Sequence, residues 1–102
     1  MSVACSTPSA NRANTKQMES LQALGEVVRA ERERRGLSQE ALADLTDMSR
    51  THIGEIERGE VNVSFTSLQA TADGLGLALS ALIIAYERRI ERTDRENPLS
   101  AE

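Results

Sequence analysis

Leu21, Leu24 and Val28, with Val27 beside them, recur at intervals of three and four, the spacing that gathers side chains on one face of an α-helix. The same rhythm returns in shorter units. Ala41, Leu42 and Leu45 form a second stripe, Ile53 and Ile56 a third, and Phe65, Leu68, Ala72 and Leu75 a fourth. Leu79, Leu82, Ile83, Tyr86 and Ile90 make a fifth, longer than the rest. Ser38, Ser49 and Ser64 stand just before the three middle stripes, where a hydroxyl can accept from an otherwise unpaired amide of the first helical turn. The first helix is predicted from about Glu19 to Arg35, with Gly36 as its stop. Gly76 ends the fourth, and Ser80 starts the fifth. Strand formers never alternate over a useful length, so the expected fold class is all-α.

Within residues 37–58 the second and third helices stand close together, leaving only Thr46, Asp47 and Met48 to turn the chain. That is a helix-turn-helix. The later helix keeps Ile53 and Ile56 inward and shows solvent a row of Arg50, Thr51, Glu55 and Arg58, side chains able to hydrogen-bond base edges or phosphates. The pattern points to a reader of duplex DNA.

At 102 residues and 39% hydrophobic content, the chain suits one domain with a small core. Phe65 and Tyr86 are its aromatic residues, so that core must be built from Leu, Ile, Val and Ala. A net charge of −4 argues against a protein that coats nucleic acid without regard to sequence, since those are usually strongly basic. It leaves operator binding open, because most acidic side chains, among them Glu31, Asp73 and Glu91, fall outside the reading row. The salt dependence of binding should be shallower than in basic relatives.

Cys5 and His52 are the single cysteine and histidine, too few for a disulfide framework or a Cys/His metal site within one chain. A reducing, cytoplasmic setting is expected, with no metal and no cofactor. The longest apolar stretch, Leu75 to Tyr86, is too short to span a bilayer, so no membrane association is expected. Catalysis needs convergent groups in a pocket, and an enzyme is not expected.

Residues 1–17 are rich in Ser, Thr, Ala and Asn, and are expected to form a disordered arm, idle or reaching along DNA through Arg12 and Lys16. The DNA-binding domain should then occupy 18–93, with a flexible tail over 94–102. Within the Arg-Glu-Arg-Arg cluster of 32–35, Arg34 and Arg35 suit a solvated helix end near the negative pole of the helix dipole. The fifth stripe, Leu79, Leu82, Ile83, Tyr86 and Ile90, runs past what a small domain can cover, and so calls for a partner surface. With no appended domain at this length, the chain is expected to respond to its own concentration through dimerisation.

The run Gly36-Leu37-Ser38-Gln39-Glu40-Ala41-Leu42-Ala43, the later Ile53-Gly54-Glu55-Ile56-Glu57-Arg58-Gly59 and the spacing of Leu68 to Leu75 resemble the phage repressor and Cro family, the xenobiotic-response-element regulators. The similarity covers roughly residues 21–85. It implies a five-helix, lambda-repressor-like domain with an extended last helix, acting as a homodimer on a pseudo-palindromic operator to regulate transcription. It places Arg50 and Thr51 at base-contacting positions, with Glu55 a third that either accepts from cytosine or holds a neighbouring arginine. Gln39, Ser49, Arg58 and Asn62 match phosphate-gripping positions. His52 suits phosphate contact or half-exposed packing, and a titrating sensor is conceivable. Arg32 and Glu57 match a structural ion pair between the first and recognition helices. Two departures weaken the implied phosphate affinity: Gly54 lies inside the recognition helix, and residues 60–64 lack Lys or Arg. The short form with a long last helix resembles restriction-modification controllers and small phage repressors. The same domain also serves in antitoxins and other protein-interaction modules, where the partner would be a toxin or RNA polymerase.

Overall fold

The computed structural model describes residues 2–96, with side chains placed for 16–92. Five helices follow one another: α1 (Ser2–Arg34), α2 (Gln39–Thr46), α3 (Arg50–Arg58), α4 (Phe65–Gly74) and α5 (Leu79–Glu96). The described residues contain no strand, and the fold is the expected all-α, five-helix one. The tail beyond Glu96 lies outside the described residues.

Ser38, Ser49 and Ser64 cap as expected. Their hydroxyl oxygens accept from the amides of Ala41 (3.0 Å), His52 (3.0 Å) and Ser67 (3.2 Å). Each satisfies one orphan donor and so sets where its helix begins. At the other end of α2, Asp47 takes the left-handed conformation at φ 62°, which turns the chain from α2 into the Ser49 cap within three residues.

The helices enclose one core, in which Val28, Leu42, Ile53, Ile56, Ala72, Leu75 and Leu82 are almost wholly buried. Helix α1 packs on α3 and α5, α2 on α3 and α4, and α4 on α5. At the α1–α3 crossing Gly25 permits the close approach. A Cβ there would fall on the backbone carbonyls of Ile56 and Glu57, so the two helix backbones touch with no side chain between them. Gly59 approaches just as closely from the other side: a Cβ on it would lie 2.9 Å from the Cα of Gln22, and its φ of 72° also favours glycine.

Several expectations are corrected. Helix α1 begins at Ser2, where a start near Glu19 was expected. Scarcity of large apolar side chains removes packing, but an anchored helix still gains one hydrogen bond per added residue without a new nucleus. Leu45 is 59% exposed and Phe65 68% exposed, although both belong to apolar stripes. Helix α2 instead turns Leu42, Ala43 and Thr46 inward. Thr46 is tolerated there because its hydroxyl donates to the Ala43 carbonyl at 3.1 Å and accepts from the Met48 amide at 3.3 Å. Phe65 opens α4, a full turn before the helix meets the core at Leu68. Helix α5 begins at Leu79, one residue earlier than Ser80, with the Ala78 carbonyl accepting from Leu82.

Candidate nucleic-acid interface

Helix α3 is nine residues long and two-faced. Ile53, Gly54, Ile56 and Glu57 are buried, while Arg50, Thr51 and Arg58 are exposed and His52 and Glu55 lie between. A short helix of this kind is marginal alone. Its direction in the molecule is set from behind.

The anchor is Glu57. Its carboxylate accepts from Arg32 Nε at 2.6 Å and from Arg32 Nη2 at 3.1 Å, while Gln39 Nε2 donates to the same Oε1 at 3.0 Å. Arg32 also donates from Nη1 to the Leu37 carbonyl at 2.8 Å. The hydrogen bond to Glu57 raises the Arg32 pKa despite the opposing effect of burial, so the guanidinium is charged throughout the accessible range. One cluster therefore joins α1, the loop before α2, the first residue of α2 and the end of α3. The expected Arg32–Glu57 pair is present in the fold. Gln39, expected at a phosphate, spends one amide hydrogen on Glu57, because its position at the start of α2 brings it against the end of α3.

On the outer face Arg50 and Thr51 stand in solvent at the N-terminal turn, beside the exposed Ser49 cap. His52 Nδ1 and Glu55 Oε1 lie 3.5 Å apart one turn on. Glu55 therefore neighbours His52 rather than Arg50. At the far end Arg58 Nε donates to Glu60 at 2.9 Å, an exposed pair whose hydrogen bond raises the arginine pKa and lowers that of the glutamate. Glu60 was not singled out from the sequence, since helical spacing does not foresee a contact between residues two apart across a helix end. Asn62 is exposed in the following loop. Among the described residues no three carboxylate, imidazole or thiol groups converge as metal ligands would.

The fifth-helix stripe divides. Leu82 is wholly buried within the single chain, so it is a core residue and not part of a partner surface, as had been expected of it. Leu79 and Tyr86 pack partly against the same core. Ile83 and Ile90 stay half-exposed, and Ile84, outside the predicted stripe, is 47% exposed.

A capped pair of helices at a tight turn, with the second showing a polar, partly cationic row to solvent, defines a helix-turn-helix module. Residues 23–82 match the model of the helix-turn-helix domain family, and the chain belongs to that family, in its xenobiotic-response-element-like branch of DNA-binding regulators. The control protein C.MunI of a Mycoplasma species is 40% identical over 57 residues, covering 56% of this chain and 77% of that protein. The immunity repressor protein of Bacillus phage phi105 is 37% identical over 60 residues, 59% of this chain, which spans only 42% of the repressor. The crystal structure of the restriction-modification controller protein C.AhdI from Aeromonas hydrophila superposes with a TM-score of 0.60 at 37% identity, over 61% of this chain and 94% of that one. That of the C.Esp1396I tetramer in complex with its natural 35 base-pair operator does so with a TM-score of 0.67 at 28% identity, over 70% and 93%.

Proposed function

We propose that this chain is a sequence-specific transcriptional regulator, not an enzyme, that acts as a homodimer on a pseudo-palindromic operator. The observation that carries the reading is the exposure of Arg50 and Thr51 on the first turn of a helix whose opposite face is locked by Ile53, Ile56 and the Glu57 anchor. Only a helix held rigidly from behind can present a fixed set of donors to a groove. Arg50 then addresses guanine through two hydrogen bonds, and Thr51 meets a thymine methyl. Ser49, His52 and Asn62 flank them as phosphate contacts, and Gln39 has one amide hydrogen left for the same task. Relatives named as control proteins and a phage repressor, one of them a tetramer on operator DNA, support the same class of action. So does the remaining exposure of Ile83 and Ile90, a surface for a second copy. A regulator of this kind works in the cytoplasm, where the DNA is. No single helix among the described residues is long and apolar enough to cross a membrane, and the apolar run through α4 and α5 is bent by 101°.

Selection of binding sites from a random duplex pool tests the reading. Two inverted half-sites about one helical turn apart are expected. Arg50→Ala should weaken binding by about 1–3 kcal/mol and relax preference at one base pair in each half-site. A wild-type protein that enriches no sequence over random DNA overturns the proposal.

A further inference from the structure

Arg50, Gly54 and Arg58 follow one another four residues apart, so they form one stripe along the outer edge of α3. At its middle there is no side chain. A Cβ built on Gly54 would lie 3.0 Å from Arg58 Nη1 and 3.7 Å from both its Cζ and its Nη2. The guanidinium of Arg58 therefore lies back over Gly54, toward the turn that carries Arg50, in the direction helical side chains naturally lean. This also explains why Gly54 is buried although its missing side chain would face outward. From the far side the Glu60 carboxylate holds Nε at 2.9 Å.

With Nε occupied, the planar guanidinium retains the four hydrogens of Nη1 and Nη2, the edge that matches the paired acceptors O6 and N7 of guanine. A residue that only grips phosphate needs no such orientation, and an adjacent carboxylate would repel the backbone it was gripping. We propose that Arg58 is a second base reader, specific for guanine, seated by the absence of a side chain at Gly54 and aimed by Glu60. The assignment rests on the regulator reading above and displaces Arg58 from the phosphate-contacting set. Gly54 and Glu60 become positioning residues: they act on specificity through Arg58 alone.

The test is binding of the wild type and of Arg58→Lys, Glu60→Gln and Gly54→Ala to a library of operator variants, at several salt concentrations. All three variants should lose roughly tenfold or more of the preference for guanine at the same base pair of each half-site, the worth of one bidentate contact. Preference at the pair read by Arg50 should persist, which shows that each variant is folded and docked. Glu60→Gln is the sharpest arm. It removes a negative charge near the phosphates, so it should tighten binding to all sequences while narrowing the difference between them. If Arg58→Lys keeps every wild-type preference, or Glu60→Gln tightens all sequences in equal proportion, Arg58 only grips the backbone and the inference fails while the regulator reading stands. If the wild type discriminates no sequence at all, the regulator reading itself is overturned, and this assignment with it.

Discussion

Arg32 and Glu57 stand 25 residues apart in sequence and clasp one another through two hydrogen bonds across the α1–α3 contact. Their side chains are only 11% and 3% exposed. At that burial the magnitudes appropriate to surface pairs, about 0–1 kcal/mol, do not apply. What matters is the charge left behind when one partner is removed. Because Gln39 and the Leu37 carbonyl complete the cluster, the same contact that secures the core also fixes the angle at which α3 presents Arg50 and Thr51.

Glu57→Ala should therefore destabilise the protein by about 3–5 kcal/mol, since it strands a buried guanidinium. Arg32→Ala should lose a comparable amount, and the double variant clearly less than the sum of the two. Urea unfolding of the three variants measures the coupling. Additive losses would show that the two residues stabilise the fold independently.

Gly25→Ala separates helix propensity from packing. In an open helix the change would stabilise by about 1 kcal/mol. Here the added carbon meets the carbonyls of Ile56 and Glu57, and backbone cannot step aside as a side chain can. Overpacking of this kind costs typically about 1–3 kcal/mol, so the net effect should be a lower urea midpoint. An unchanged or raised midpoint would mean that α1 and α3 do not approach so closely in solution.

Leu82 and Ile83 are adjacent, yet they should behave differently. Leu82 is wholly buried in the single chain, and Leu82→Ala should reduce stability by about 2–5 kcal/mol. Ile83 is half-exposed, and Ile83→Asp should leave the chain folded while abolishing the dimer, because an unpaired carboxylate cannot be taken into an apolar interface. Circular dichroism together with sedimentation at micromolar concentration distinguishes the two outcomes. A dimer that survives Ile83→Asp uses another surface.

Helix identity and order were legible from local rules, because a cap or a stop concerns only a few neighbouring residues. Ser38, Ser49 and Ser64 begin their helices as the hydroxyl chemistry requires, and Gly36 and Gly76 follow the ends of α1 and α4 at φ 68° and 74°. The outward row of α3 is legible for the same reason: with Ile53 and Ile56 buried, helical geometry alone puts Thr51, Glu55 and Arg58 on the other side. The Arg32–Glu57 pair was expected through resemblance, since nothing local links two residues so far apart.

Whatever depended on how far a helix is rotated, or how near another comes, was settled by packing. Leu45 and Leu42 lie on one apolar stripe, but where α2 meets Gly74 of α4 Leu42 is wholly buried while Leu45, touching Gly74 only near its Cβ, is left facing water. Leu82 and Ile83 share another stripe, and the approach of α4 and α1 buries one and spares its neighbour. Gln39 and Arg58 read as phosphate contacts from sequence; packing gives them intramolecular partners as well, Glu57 for Gln39 and Glu60 for Arg58, which no local rule foresees. Sequence periodicity states which face of a helix is apolar; only the simultaneous packing of several such faces selects which residues on it are covered, and which polar groups meet.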